Sequence, residues 1–137
     1  MIVVDTSALI AFYNDSEPRH QQMSVTIRAA EVPLVVSPFV VAELDYLLTT
    51  RVGTDVAISV LHELGRGAYL IAPIDSDDIN AAADVVERYR DQDIGVTDAS
   101  LVVLAARYGT RTVLTLDRRH FEVLRPLDGG RFRLLPA

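Results

Sequence analysis

The chain has 137 residues, half of them hydrophobic, and a formal net charge of −6 at pH 7. That length favours one domain, residues 1–137, with a core large enough to stand without cross-links. There is no Cys, which excludes disulfides, thiolate zinc sites and cysteine nucleophiles, and all thirteen basic residues are Arg, which excludes the P-loop, Schiff-base and general-base lysines.

Short β-branched runs alternate with helical patterns along the chain. The first strand is predicted at IVV (2–4), followed by a short helix over 7–13. The segment 16–30 opens Ser-Glu-Pro, a cap with Pro near the first turn, and stops before Pro33. A second strand, LVV (34–36), leads through a capping Ser37 into a helix over 38–50. Thr54 caps the next helix, 54–64, which stops at Gly65, and YLI (69–71) is the third strand. The helix over 76–90 carries Asp77 and Asp78 in its first turn, where the dipole favours anions. Thr97 caps a helix over 97–108 that is apolar almost all round, so buried on most sides. TVLT (112–115) and FRLL (132–135) complete the strands, the latter entered through a DGG turn. Strands separated by helices imply an α/β sandwich with a parallel sheet. There is no internal repeat, low-complexity segment or linker.

The charge is unevenly spread. Residues 1–106 hold 6 Arg against 16 acids, and residues 107–137 hold 7 Arg against 3. An acidic chain can still bind nucleic acid if its cations share a face, though ordinary surface charge gives the same statistics. No run approaches the ~18 apolar residues of a membrane span, and the N-terminal run has no basic flank, so a cytoplasmic location without membrane attachment is expected.

In open parallel sheets the ligand site lies at the carboxyl ends of the strands, and four acids stand near such places. Asp5 ends the first strand, where it is a helix cap or a functional group; Thr6 or Ser7 would cap as well without the charge. Glu43 falls, at 100° per residue, between Phe39 and Leu47 in the apolar arc of its helix, either snorkelling at the edge of that arc or placed for a task, with Asp45 on the opposite, solvent side. Asp98 lies in the first turn of the buried helix. Asp117 follows the fourth strand, as an Asx-turn, a short-helix cap or a functional group. Each has an ordinary explanation, but a single site at one sheet edge accounts for all four. Converging carboxylates repel and retain protons unless a cation joins them. Oxygen ligands without Cys or a His pair favour Mg²⁺ or Mn²⁺ over zinc, and such an ion beside Arg-rich surface suits phosphate chemistry.

MIVVDTSALIAF, VVAELDYLL, GVTDASLVVLAARYG and TVLTLDRRHF resemble, in order and interval, the four signature blocks of PIN-domain ribonucleases, and among these the VapC toxins of bacterial toxin–antitoxin pairs. The resemblance covers nearly the whole chain. It implies a three-layer α/β/α sandwich of about five mostly parallel strands, usually dimeric, and Mg²⁺-dependent endonucleolytic cleavage of RNA, with Mn²⁺ as a possible substitute. Asp5 and Asp98 match the acids that hold the metal most directly, and Glu43 and Asp117 complete the quartet. Asp93, in RDQDIG, is near enough to compete with Asp98, which the buried helix favours. Thr6 and Thr115 match hydroxyls that accompany the acids. Arg107, Arg111, Arg118 and Arg119 are candidates for RNA phosphates. His20, His62 and His120 lack partner spacing and are expected at the surface or in packing. A VapB-like antitoxin would cover the site, with Phe12, Tyr13 and Leu47 as groove residues or core.

Two rival readings make different demands. A receiver-type signalling domain needs an acidic pair after strand one and a lysine after strand five, and neither is present. A PIN-like scaffold without catalysis would be expected to lose some of the four acids.

Overall fold

The computed structural model describes all 137 residues. Five strands, β1 (Ile2–Val4), β2 (Leu34–Val36), β3 (Leu70–Ile71), β4 (Thr112–Leu114) and β5 (Arg133–Leu135), form one sheet in the order β3-β2-β1-β4-β5. Every pairing is parallel, with Val3 opposite Val35 on one side and Val113 on the other. Seven helices cover it: α1 (Thr6–Tyr13), α2 (His20–Ala29), α3 (Pro38–Arg51), α4 (Thr54–Gly65), α5 (Ser76–Arg88), α6 (Val96–Arg107) and α7 (Arg118–Val123). This is the expected α/β/α sandwich.

The strands are short and the three central ones are buried: β1, β2 and β4 carry Val3, Val4, Val35, Val36 and Val113 at zero exposure. Burial on both faces is why these runs are continuously apolar rather than alternating. From β1 the chain passes outward to β2 and β3, then returns to the other side of β1 for β4 and β5. The order therefore reverses between β1 and β4, the place where such sheets leave a crevice.

The predicted strands stand, each trimmed by at most one residue. α1 begins one residue early, at Thr6, and the other differences lie in the starts of α2 and α6 and in the caps. Asn14 takes the N–H of Ser16 through its side chain, so Ser-Glu-Pro forms successive turns and α2 begins only at His20. Gly53 and Gly95 occupy the N-cap positions of α4 and α6, leaving Thr54 and Thr97 inside the first turn. Asp75 caps α5 in a reciprocal pair with Asp78. At the other end α5 breaks at Tyr89, and a single 3₁₀ turn, Arg90–Gln92, follows.

The apolar interior is one cluster of 33 residues. Five polar residues are buried with it: Asp5, Thr6, Ser37, Ser100 and Thr115. Burying a polar group is costly unless it is partnered, so their placement is informative. Asp5, Ser37 and Thr115 directly follow β1, β2 and β4, Thr6 opens α1, and Ser100 lies in the second turn of α6. All five thus gather at one end of the sheet.

Candidate active site

A cleft of about 290 Å³ opens at that end, lined by Asp5, Thr6, Ser7, Ile10, Glu43, Leu47, Arg51, Asp98, Asp117 and His120. The four acids selected from the sequence all line it.

Asp5 occupies the N-cap position of α1, yet its side chain caps nothing. Its Oδ2 instead accepts hydrogen bonds from Ser7 Oγ at 2.7 Å and Thr115 Oγ1 at 2.8 Å. Those hydroxyls are themselves fixed, because the N–H of Leu116 donates to Ser7 and that of Asp117 to Thr115. The two hydroxyl protons can therefore point at the carboxylate, and the ends of β1 and β4 are tied through it. Asp5 is 5% exposed, and this burial raises its pKa against the lowering effect of the two hydroxyls. Thr6 Oγ1 is buried beside it without a partner.

Asp98 is the third residue of α6, whose next turn is locked to α3. The N–H of Phe39 donates to Ser37 Oγ, which lies 2.8 Å from Ser100 Oγ, and Ser100 donates to the carbonyl of Thr97. This chain of bonds fixes the start of α3, and hence Glu43, against the start of α6. The Asp98 carboxyl is raised to about 6, first by burial, then by the negative charge of Asp5, with smaller contributions from Asp117 and Glu43. One carboxyl thus senses the other three, which is the electrostatic signature of convergence. Asp93 sits outside the cleft, exposed, in the left-handed residue that ends the 3₁₀ turn.

Glu43 sits at the edge of the apolar arc, one of its two expected placements, and it is Asp45 that differs from expectation. The buried side of α3 is Val40, Leu44 and Leu48, so Glu43 is exposed at the edge of that stripe and reaches the cleft from its rim. Asp45 is the more covered of the two acids. The mean apolar direction of α3 is ill-defined because apolar residues continue round to Tyr46, which is 66% exposed.

His120 is the residue sequence reasoning misplaced. Its Nδ1 lies 2.9 Å from Asp98 Oδ2 and 3.1 Å from Asp117 Oδ2, although neither approach has the alignment of a hydrogen bond. It is three residues beyond Asp117 on α7, a spacing that puts both on one helix face. Ser7 and Arg51 were also not foreseen in the site. The four Arg residues proposed for RNA do not line the cleft. Arg107 is held by Asp78 and the carbonyl of Pro73, and Arg111 pairs with Asp128 near a separate cavity. Arg118, close by on α7, contacts Glu122 and the carbonyl of Pro136, while Arg119 is exposed. Phe12, Tyr13 and Leu47 are half-buried against the core, and Leu47 faces the cleft.

The donor set suits a hard divalent cation: four carboxylates round one opening, with hydroxyls behind them. No three of the side chains close on a common coordination point. The profile of the PIN-domain family matches residues 2–125. The chain belongs to the PIN-domain family. This PIN domain is 53% identical over 135 residues to ribonuclease VapC26 of Mycobacterium tuberculosis (strain ATCC 25618 / H37Rv), across 98% of this chain and all of that protein. Its fold is similar to that of VapC20 of M. tuberculosis, a sarcin-ricin loop cleaving toxin, with a TM-score of 0.81 and 20% identity over 85% of this chain and 90% of the other. It is also similar to VapBC2 from Rickettsia felis bound to a promoter DNA fragment, with a TM-score of 0.65 and 16% identity over 98% and 97%. No helix of this PIN domain is long and apolar enough to cross a membrane.

Proposed function

We propose that this PIN domain is a divalent-metal-dependent endoribonuclease and the toxin of a toxin–antitoxin pair. The observation that carries the reading is the meeting of Asp5, Glu43, Asp98 and Asp117 in one cleft, where three of the carboxylates push the pKa of the fourth upward. The similarity to a ribonuclease of the VapC kind supports RNA as the substrate class.

In this reading Asp5 and Asp98 hold Mg²⁺ most directly, and Glu43 and Asp117 complete the set, directly or through water; Mn²⁺ would substitute. When bound, the ion supplies an acidified water and a counter-charge for the departing oxygen. The chain's own residues prepare that chemistry. Ser7 and Thr115 hold the Asp5 carboxylate in one orientation, and the serine pair on α3 and α6 fixes the separation of Glu43 from Asp98. His120 spaces Asp98 from Asp117. Arg118 and Arg119, next to Asp117, remain candidates for steering phosphates toward the opening, whereas Arg107 and Arg111 would need a strand long enough to reach round the molecule. In-line attack of water on phosphorus, with departure of the 3′-oxygen, would leave a 5′-phosphate.

The partners follow from the same reading. A VapB-like antitoxin would silence the enzyme by covering the cleft, as the similarity to VapBC assemblies suggests, and the toxin would act as a homodimer. The test is incubation of the purified chain with total RNA in Mg²⁺, in EDTA, and as Asp98→Asn in Mg²⁺. Cleavage is expected in the first only. Equal cleavage in all three would overturn the metal role, and failure of the native chain both to bind Mg²⁺ and to cut would favour a non-catalytic scaffold.

A further inference from the structure

A strand of RNA entering this cleft meets a difficulty that the four carboxylates create. A single bound ion offsets charge at one phosphate, but the neighbouring phosphates of the strand would still face acidic walls. The cleft lining contains one permanently cationic side chain, Arg51. It closes the last turn of α3, and Glu43, Leu47 and Arg51 recur at intervals of four along one face of that helix, all three lining the cleft. Eight residues of helix separate Glu43 from Arg51 by about 12 Å along the axis. That backbone offset suits a guanidinium reaching a phosphate next along the strand from the one at the carboxylates.

Arg51 is also available. Its Nη1 lies 3.6 Å from Glu17 Oε1, and its side chain is 52% exposed. An ion pair that long and that wet contributes little, whereas a guanidinium fork on a phosphate makes paired, charge-assisted bonds. Arg107 and Arg111, by contrast, are engaged by protein carboxylates at 2.5 and 3.0 Å.

We infer that Arg51 is a substrate-binding residue that grips an RNA backbone phosphate neighbouring the one at the four carboxylates. The inference rests on the ribonuclease reading. A competing role for Arg51 is simply to offset the carboxylates' charge within the protein, and the two roles differ in what they do to metal and to RNA.

The test compares the native chain with Arg51→Ala, Arg51→Lys and, as a control outside the cleft, Arg66→Ala, an exposed residue just past α4. Three quantities are read: cleavage of total RNA in Mg²⁺, Mg²⁺ affinity by calorimetry, and the salt dependence of binding to a fluorescein-labelled random-sequence oligoribonucleotide, with Ca²⁺ in place of Mg²⁺ to suppress cleavage. For Arg51→Ala we expect KM to rise about tenfold with kcat within about twofold, and the log–log salt slope to shrink by about 0.7, one phosphate's share on a single strand. Mg²⁺ affinity should stay the same, and Arg51→Lys should recover much of the binding. If the native chain cuts RNA while Arg51→Ala keeps its KM and salt slope, the assignment is overturned and the ribonuclease reading stands. Tighter Mg²⁺ binding by Arg51→Ala with an unchanged salt slope would establish the charge-offset role instead. If the native chain neither cuts nor binds RNA, both the assignment and the reading beneath it fail.

Discussion

At the scale of single residues, the cleft is strained by its own charge. Asp98 lies beneath partial burial and three like charges, and its carboxyl titrates near 6 rather than in the usual range. Above that pH, without a cation, the folded state holds an ionised group it would stabilise better as a neutral one. Asp98→Asn keeps the shape and removes the charge. The shift, which already includes the opposing attraction to His120, corresponds to about 3 kcal/mol at most. Metal-free Asp98→Asn is therefore expected to melt several degrees above the native chain near pH 7, in the opposite direction to its effect on cleavage. A lower melting temperature would show that Asp98 serves packing rather than charge. Such a trade of stability against chemistry is common where function needs an unfavourable arrangement.

At the scale of elements, what could be read from the chain depended on how local the signal was. Strand positions were legible because a buried parallel strand is a short apolar run bounded by turn residues, and the acids after β1 and β4 stood out against such runs. Helix starts were less so. Ser37, Thr54 and Thr97 look alike in sequence, yet only Ser37 caps, because glycines one or two residues earlier take the N-cap positions of α4 and α6. The six-residue α7 is too short to show a period, and with it went the signal for His120, three residues from Asp117. Arg51 was legible in principle, eight residues after Glu43 on the same face, but an exposed terminal Arg attracts no notice until the cleft is seen. The capping contrast gives a direct comparison. Ser37 is fully buried and bridges α3 to Ser100 on α6, so Ser37→Ala should cost about 1–2 kcal/mol. Thr54 is exposed and caps nothing, so Thr54→Ala should stay within about 0.5 kcal/mol. Urea unfolding reads both as changes in midpoint at constant slope. Equal losses would mean that the serine bridge does not set the α3–α6 spacing.

At the scale of the whole molecule, protons and a cation compete for the same folded carboxylates, the protons prevailing at low pH and the cation at neutral pH. The sheet places the ends of β1, β2 and β4 side by side, so Asp5 and Asp117 after two of them and Glu43 and Asp98 on α3 and α6 meet only when the chain is folded. In the unfolded chain Asp98 titrates near 3.9, and in the fold near 6. Between those values the folded state holds a proton that the unfolded state has released. This contribution to stability is complete below about pH 4 and is lost as pH rises past about 6; Asp5, also raised by burial, acts in the same direction. A divalent cation binds the ionised carboxylates and competes with those protons, and it binds the folded state alone. Millimolar Mg²⁺ should therefore raise the melting temperature clearly near pH 7.5 and hardly at all near pH 5. In Asp98→Asn the increment near pH 7.5 should be much smaller than in the native chain. An increment independent of pH, or equally large in Asp98→Asn, would place cation binding on surface carboxylates away from the cleft and would separate the four acids from the metal they are proposed to share.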